Sequence, residues 1–414
     1  MYRAVEKNRE DFIDFMKRLI SHRSYSGEEG EIAACILEEF KKTEVDEAFV
    51  DGIGNVVGII RGTGEGPNIL MISHMDAVPE DSLENWAPFD PYRPEIKDGM
   101  LYGRGISDMK GGLASQLYGM KVLAEGIRKA GVRLPGDLAM VCTVQEEPAG
   151  FAGANYFFDN TMAEHDIKAD FVFLAEPSHN ELMLGQRGKV EIAVKTLGKT
   201  AHASKPSEGV NALELMVPIM QDIFTHTGID LKTDPLLGEC TVTILKCTAG
   251  GDYSSIPDEC EILVDRRYTT EQTMEELLDE FRVIFKRLKT AYPDFRGEVY
   301  MREFEEISYT GVKSMSRKYN PPWITDRDHP IVQKAFTALE KVGQEPKGAY
   351  WLFGTEGCVS CAMHGIPTLG YSGAVESQAH QPKEHVSLDE MMKTLEGYVS
   401  IFAEVYDVDR TVFE

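Results

Sequence analysis

The sequence predicts an α/β fold: a main domain with a mixed sheet flanked by helices, interrupted by an inserted α+β domain with a four-stranded sheet and two helices. Three observations carry this. Short apolar runs alternate with stretches of helical periodicity up to Pro177, ionisable residues stand at the carboxyl ends of those runs, and from Gly188 the pattern changes to two strand-helix-strand halves. The 414 residues exceed one ordinary core, and a hydrophobic content of 43% can build two. The expected limits are 1–187 for the first part of the main domain, 188–307 for the insertion and 308–414 for the return.

Taken in order, residues 9–21 and 28–42 carry apolar side chains at helical spacing, among them Phe12, Phe15, Met16 and Leu19, then Ile32, Ile36 and Phe40. Strands are expected near 48–50 and 56–61, before the turn-rich residues 62–67. A buried strand from Asn68 runs out at His74, and a long polar loop then reaches Gly103; loops of that length tend to be functional. A helix is expected over 109–129, and buried strands over 138–144 and 171–175, ending in Gln145-Glu146-Glu147-Pro148 and Glu176-Pro177. In the insertion, strands are expected at 189–197, 240–247, 261–268 and 297–304, with helices at 210–226 and 274–288. The return holds a helix over 330–342 opened by Asp328 and an early proline, and a short strand over 365–371. A last helix over 388–406 is capped by Ser387 with Glu390 as capping-box partner.

Acidic residues number 68 against 43 basic ones, a net charge of −25, which argues against nucleic acid or an anionic membrane as partner. There is no run of about 18 apolar residues, and the first ten positions are charged without an apolar signal core, so a soluble, cytoplasmic protein is expected. Seven scattered cysteines suit a reducing compartment. Cys358 and Cys361 form a C-x-x-C, but with no second pair, packed thiols at helical spacing explain them better than redox or zinc chemistry.

The chemistry begins at Ser73-His74-Met75-Asp76, where an extended backbone points His74 and Asp76 the same way. A carboxylate at that spacing can hold the far imidazole nitrogen or orient the ring indirectly. Asp108, Glu146, Glu147 and Glu176 are expected at the same sheet edge, and His380 precedes the last helix. Two divalent metals about 3.5 to 4 Å apart need a carboxylate between them and nitrogen or oxygen ligands outside. That inventory assigns His74, Asp108 and Glu176 to one metal, and Asp108, Glu147 and His380 to the other. Imidazole and carboxylate ligands suit zinc, with cobalt or manganese as alternatives. Adjacent residues at a strand end diverge, so Glu147 can hold metal while Glu146 faces the bridging water as general base. Gly103-Arg104-Gly105 is a near miss to a dinucleotide fingerprint, because Asp108 stands where the third glycine belongs.

At these residues the chain resembles the M20 family of metallopeptidases and deacylases. The matching pieces are Ser73-His74-Met75-Asp76, Gly103-Arg104-Gly105 with Asp108-Met109-Lys110-Gly111-Gly112, Glu146-Glu147, Glu176-Pro177, and His380 before Glu384. The resemblance implies the metal roles above, Asp76 as the partner of His74, Glu146 as the base, and an inserted lid domain that often forms a homodimer surface. Gly198-Lys199-Thr200-Ala201-His202-Ala203-Ser204, followed by Gly209-Val210-Asn211-Ala212, resembles the family's lid motif. The resemblance makes His202 an oxyanion stabiliser, in dimers often across the subunit boundary, and brings Asn211 into the substrate site. Gln186-Arg187-Gly188, Asp265-Arg266-Arg267 and Thr355-Glu356-Gly357 are similar to a subgroup of bacterial hydrolases linked to selenium metabolism. There Arg267 and the Gly354-Thr355 turn would hold a substrate carboxylate, with Arg187 or Arg266 as alternatives.

The reading is therefore a binuclear metal-dependent hydrolase that cleaves an amide bond in a small substrate with a free carboxylate, an N-acyl amino acid or a dipeptide. An N-carbamoyl or ureido acid is the alternative substrate. A metal-binding module without turnover is the rival class, and the unligated Glu146 speaks against it.

Overall fold

The apolar runs form the centre of one nine-stranded sheet in the computed structural model, which describes residues 2–250 and 253–414. Its order is Glu47–Val50, Val56–Ile60, Leu138–Thr143, Ile69–His74, Phe171–Leu174, Thr368–Gly370, Leu182–Gln186 and Trp323–Ile324, with Gly348–Trp351 also paired to Leu182–Gln186. Ile69–His74 lies parallel to Leu138–Thr143 on one side and to Phe171–Leu174 on the other. The register sets His74 opposite Thr143, so the residues that follow these strands emerge together at one sheet edge.

All three strands are buried along their whole length, as parallel strands covered on both faces must be. Alternate residues go to opposite faces. Ile69, Met71, Leu138, Met140, Phe171 and Phe173 pack under the long helices Arg9–Ser21, Gly30–Lys42, Gly111–Ala130, Pro330–Lys341 and Leu388–Val405. Leu70, Ile72, Ala139, Val141, Val172 and Leu174 pack against Phe151, Phe157, Trp351 and Val359 on the other face. Each full burial of such a side chain is worth about 1.5–3 kcal/mol, so a one-residue slip of the central strand, which would exchange its two faces, is strongly disfavoured.

The second sheet is antiparallel, in the order Thr241–Ala249, Glu259–Tyr268, Gly188–Leu197 and Arg296–Met301, with Tyr319–Asn320 added to Gly188–Leu197. It therefore extends to Asn320, past the expected limit of 307. Helices Ala212–Phe224 and Met274–Ala291 cover one face through Leu215, Met216, Ile219, Leu277, Phe281 and Ile284. Thr273 and Glu276 close a reciprocal capping box on the second helix. Among the described residues no helix is long and apolar enough to cross a membrane.

Several local expectations are corrected. The helix expected from Met109 is regular only over Gly111–Ala130; Ile106–Lys110 is an irregular turn with a cis Asp108–Met109 bond and an extended Asp108. Asp328 does not cap the Pro330 helix, because Nδ1 of His329 accepts the Ile331 N–H at 3.3 Å. Ser387 caps the last helix, but the Glu390 carboxylate turns away to Asn180 and Lys393, so the box stays open. The strand expected over 297–304 breaks at Arg302, and Glu303–Ile307 forms a separate hairpin with Lys313–Arg317. The polar loop before Gly103 contains Leu83–Trp86 and the paired strands Glu95–Lys97 and Met100–Tyr102. All seven cysteines are free; the close pair of sulfurs is Cys247 with Cys260 at 3.9 Å, on neighbouring strands.

Candidate metal centre and active-site cavity

His74 ends its strand with the ring almost fully buried. Its Nδ1 lies 3.0 Å from the Asp76 main-chain oxygen and 3.5 Å from Asp76 Oδ1. A carbonyl can only accept, so the proton sits on Nδ1 and Nε2 is left for a metal or a second proton. Nε2 faces Asp108 Oδ1 at 3.1 Å and Glu176 Oε1 at 3.8 Å. His380 approaches from the other side, with Nε2 at 3.2 Å from Asp108 Oδ2 and 3.0 Å from Glu147 Oε2. One carboxylate thus offers one oxygen to each imidazole, and ligand atoms of His74, Asp108 and Glu147 lie within 4.8 Å of one another.

Asp76 is the tie beneath this cluster. Its Oδ1 accepts the Glu146 N–H at 3.1 Å, and its Oδ2 accepts the Glu147 N–H at 3.1 Å and the Ser26 hydroxyl at 2.6 Å. The same carboxylate that meets His74 therefore positions the turn carrying Glu146 and Glu147. Glu29, buried below, accepts the N–H groups of Gly27 and Gln145, both at 3.0 Å, and anchors the start of that turn. Gln145 itself has φ of 55°, a left-handed conformation that re-aims the chain as the strand ends.

Asp108 is held by its backbone. The fully buried Glu384 carboxylate accepts the N–H groups of Gly105 at 2.9 Å, Ser107 at 2.7 Å and Asp108 at 3.1 Å, and pairs with Arg104 at 2.9 Å. Arg104 in turn lies 5.1 Å over the Trp86 ring. Glu384 was legible only as part of a motif; its work on the Asp108 turn was not.

Electrostatically the cluster is dominated by carboxylates. Burial pushes the Glu146 carboxyl well above the usual range, and nearby Glu176 and Glu147 push it further. Glu176 is raised well above its ordinary value by burial and by Asp108. Hydrogen bonds to Asp108 and Glu147 raise His380 to about 10. Burial opposes charge on His74, yet its bonds to Asp108 and Asp76 lift it well above the ordinary imidazole value. Carboxylates this crowded and this dry need positive charge among them, and an imidazole-carboxylate donor set fits divalent metal.

The cluster opens into a cavity of about 290 Å³. Asp108, Glu146, Glu147, Glu176 and His380 form one wall; Lys189, Arg267, Asn320, Phe353 and Gly354 contribute to the rest. Of the expected substrate residues, Arg267 and Gly354 reach the cavity. Thr355 does not line it: it is buried, with N and Oγ1 both donating to Gln186 Oε1 at 2.9 and 2.6 Å. Asn211 sits elsewhere, as the N-cap of Ala212–Phe224, accepting from Leu213 at 3.0 Å. His202 is exposed outside the cavity, and its Nδ1 accepts the Ser204 N–H at 3.1 Å, which leaves the neutral-ring proton on Nε2. Arg266 is buried against Glu280 at 3.0 Å, and Arg187 donates to the main-chain oxygens of Glu239 and Leu352. Lys189 and Asn320 were missed. Lys189 directly follows Gln186-Arg187-Gly188, so that motif was the available signal.

Residues 70–404 match Peptidase family M20/M25/M40. The chain is 31% identical over 394 residues to the uncharacterized protein YgeY of Escherichia coli (strain K12), covering 94% of this chain and 93% of that one. It is 24% identical over 399 residues to the succinyl-diaminopimelate desuccinylase of Nautilia profundicola, covering 95% and 99%. A solved dinuclear metal binding peptidase of the M20 family from Bacillus subtilis superposes with a TM-score of 0.69 at 15% identity, over 98% and 100% of the two chains. The family match takes in the second sheet, the carboxyl ends of the three central strands and every residue from His74 to His380 in the cluster, and the chain is thereby a hydrolase belonging to peptidase family M20/M25/M40.

Proposed function

We propose that the protein is a binuclear metal-dependent amide hydrolase acting on a small carboxylate-bearing substrate, an N-acyl amino acid or a dipeptide. The observation that carries this reading is Asp108 standing between two imidazoles, each about as far from its own carboxylate oxygen (3.1 and 3.2 Å). Two divalent ions, zinc first, with cobalt or manganese as alternatives, would be held by His74, Asp108 and Glu176 and by Asp108, Glu147 and His380. Bound there, they supply Lewis acidity and positive charge at the scissile carbonyl.

This chain's own residues supply the proton chemistry and the positioning. Among the described residues the Glu146 carboxylate makes no hydrogen bond, lines the cavity, and carries a raised pKa, as a group that accepts a proton from water and returns it to the leaving nitrogen requires. Asp76 keeps His74 in one tautomer and Glu146 in place. Arg267 and the Gly354 backbone, expected to hold a substrate carboxylate, line the cavity, with the guanidinium already paired to Asp265 at 2.7 Å. The Nautilia relative, named for removing a succinyl group from diaminopimelate, fits a substrate of this kind.

The test is a panel of N-acetyl, N-succinyl and N-carbamoyl amino acids and dipeptides offered to zinc-, cobalt- and manganese-reconstituted protein, with metal measured by plasma mass spectrometry. The expected result is about two metals per chain and turnover of a carboxylate-bearing amide but not of its carboxamide analogue. No turnover of any member at full metal loading would reject the hydrolase reading.

The second sheet also supports a homodimer. Thr241–Ala249 is its edge strand, and Leu245 on it is exposed, as are Leu213, Val217 and Phe224 along one helix. Apolar residues beside an open sheet edge mark an association surface, and a second copy could bring in the exposed His202. Sedimentation equilibrium should give twice the chain mass, with Val217→Asp and Leu245→Asp both shifting the protein to monomer; a monomeric wild type would reject the dimer.

A further inference from the structure

Three neighbouring strands of the second sheet place Arg267, Lys189 and Asn320 in one row. Lys189 is directly opposite Arg267 in one strand pair and directly opposite Asn320 in the other. Directly paired residues share a face of the sheet, and this face looks into the cavity: all three residues line it together with Glu146, Asp108, Glu147, Glu176 and His380.

The members of the row are not equally free. Arg267 is already held by Asp265, at 2.7 Å through Nε and 3.4 Å through Nη2, and its Nη1 donates to the Leu352 carbonyl at 3.3 Å. Lys189 has no carboxylate within salt-bridge distance among the described residues. Its neighbour Lys318 is itself engaged with Glu191 at 3.5 Å. Asn320 is almost fully buried, and its Oδ1 has no partner among the described residues. The side-chain amide can turn to offer its NH2 group instead. Gly354 admits that amide, since a Cβ there would run into it.

We infer that Lys189 is the specificity-determining residue of the cavity: its ammonium, supported by the Asn320 amide, binds the single carboxylate of the substrate on the wall facing Glu146. With Arg267 neutralised by Asp265, the row has one positive charge left over, which suits a monoanionic group rather than a phosphate or a second carboxylate. Burial and the charge of Arg267 hold the Lys189 pKa below its ordinary value, as expected of an ammonium short of a counter-ion. The inference rests on the cavity being the hydrolase site, and its test separates the two claims.

Zinc-reconstituted wild type, Lys189→Met and Lys189→Arg are titrated calorimetrically with N-acetylglycine and N-acetylglycinamide, with circular dichroism as the check on folding. Wild type should prefer the acid by about 10- to 100-fold, the scale of one charge-assisted hydrogen bond. Lys189→Met should abolish that preference while binding the amide like wild type, and Lys189→Arg should keep most of it. On any turned-over acid from the substrate panel, Lys189→Met should raise KM by more than it lowers kcat. The inference is overturned if Lys189→Met keeps the preference, as it would if a metal alone held the carboxylate, or if wild type shows none. Should Lys189→Met fail to fold, Lys189→Gln takes its place in the same titration. An acid preference that depends on Lys189 without turnover by wild type would instead overturn the hydrolase reading and leave Lys189 as an anion site.

Discussion

Glu146→Gln is expected to lower kcat by about 10³- to 10⁴-fold, the upper part of the range for losing a general base, while metal content stays at the wild-type value. Glutamine keeps the shape and the backbone N–H that Asp76 Oδ1 accepts at 3.1 Å, so the turn and its Glu147 neighbour should stay in place. What is lost is an acceptor basic enough to take a proton. Because the Glu146 carboxylate makes no hydrogen bond among the described residues, the change strands no partner, and thermal stability should hold or rise as a buried carboxyl group is removed. Steady-state kinetics with metal analysis on the same preparation decide the matter. Unimpaired turnover would remove Glu146 from the mechanism, and a drop in bound metal would make it a ligand instead.

Asp108→Ala is expected to empty both metal positions together. Each imidazole meets a different oxygen of this one carboxylate, at 3.1 and 3.2 Å, so its removal takes a ligand from both positions at once. Glu147→Ala or Glu176→Ala removes a ligand from one position only. We expect bound metal to fall from about two per chain to near zero in Asp108→Ala and to about one in each of the other two, with activity of Asp108→Ala down by at least about 10⁴-fold, given what metal ions supply to hydrolysis. The fold should survive, because Glu384 holds residue 108 through the backbone N–H at 3.1 Å, which alanine keeps. Mass spectrometry of dialysed protein reads the result, and an Asp108→Ala protein that retains one tightly bound metal would show that this carboxylate is not shared.

How much of this was legible in advance differs from residue to residue. Ile69–His74, Leu138–Thr143 and Phe171–Leu174 were readable because a strand buried on both faces is apolar throughout, and its end is marked by the first polar residues. His74, Glu147 and Glu176 followed from those ends. Asp108 was readable as a residue type but not as a conformation: its expected place before a continuous helix ignored Glu384, 276 positions downstream, whose carboxylate takes the Asp108 N–H into an extended turn. The caps show the same divide at short range. Asp328 and His329 both have cap-forming side chains, and His329 won because its ring, 5.1 Å from Phe171, stands where the Ile331 N–H points.

The sequence by itself determined the two-sheet α/β plan, the ionisable residues at the strand ends and their order along the chain, because periodicity and strand termination are local properties written in neighbouring residues. Only the tertiary structure decided which oxygen of Asp108 faces which imidazole, that Thr355 and Asn211 turn away from the cavity, and that Lys189 stands in a row with Arg267 and Asn320. Those facts depend on strand register and on hydrogen-bond partners far apart in the chain, and such pairings are selected by the packing of whole elements rather than by any stretch of residues alone.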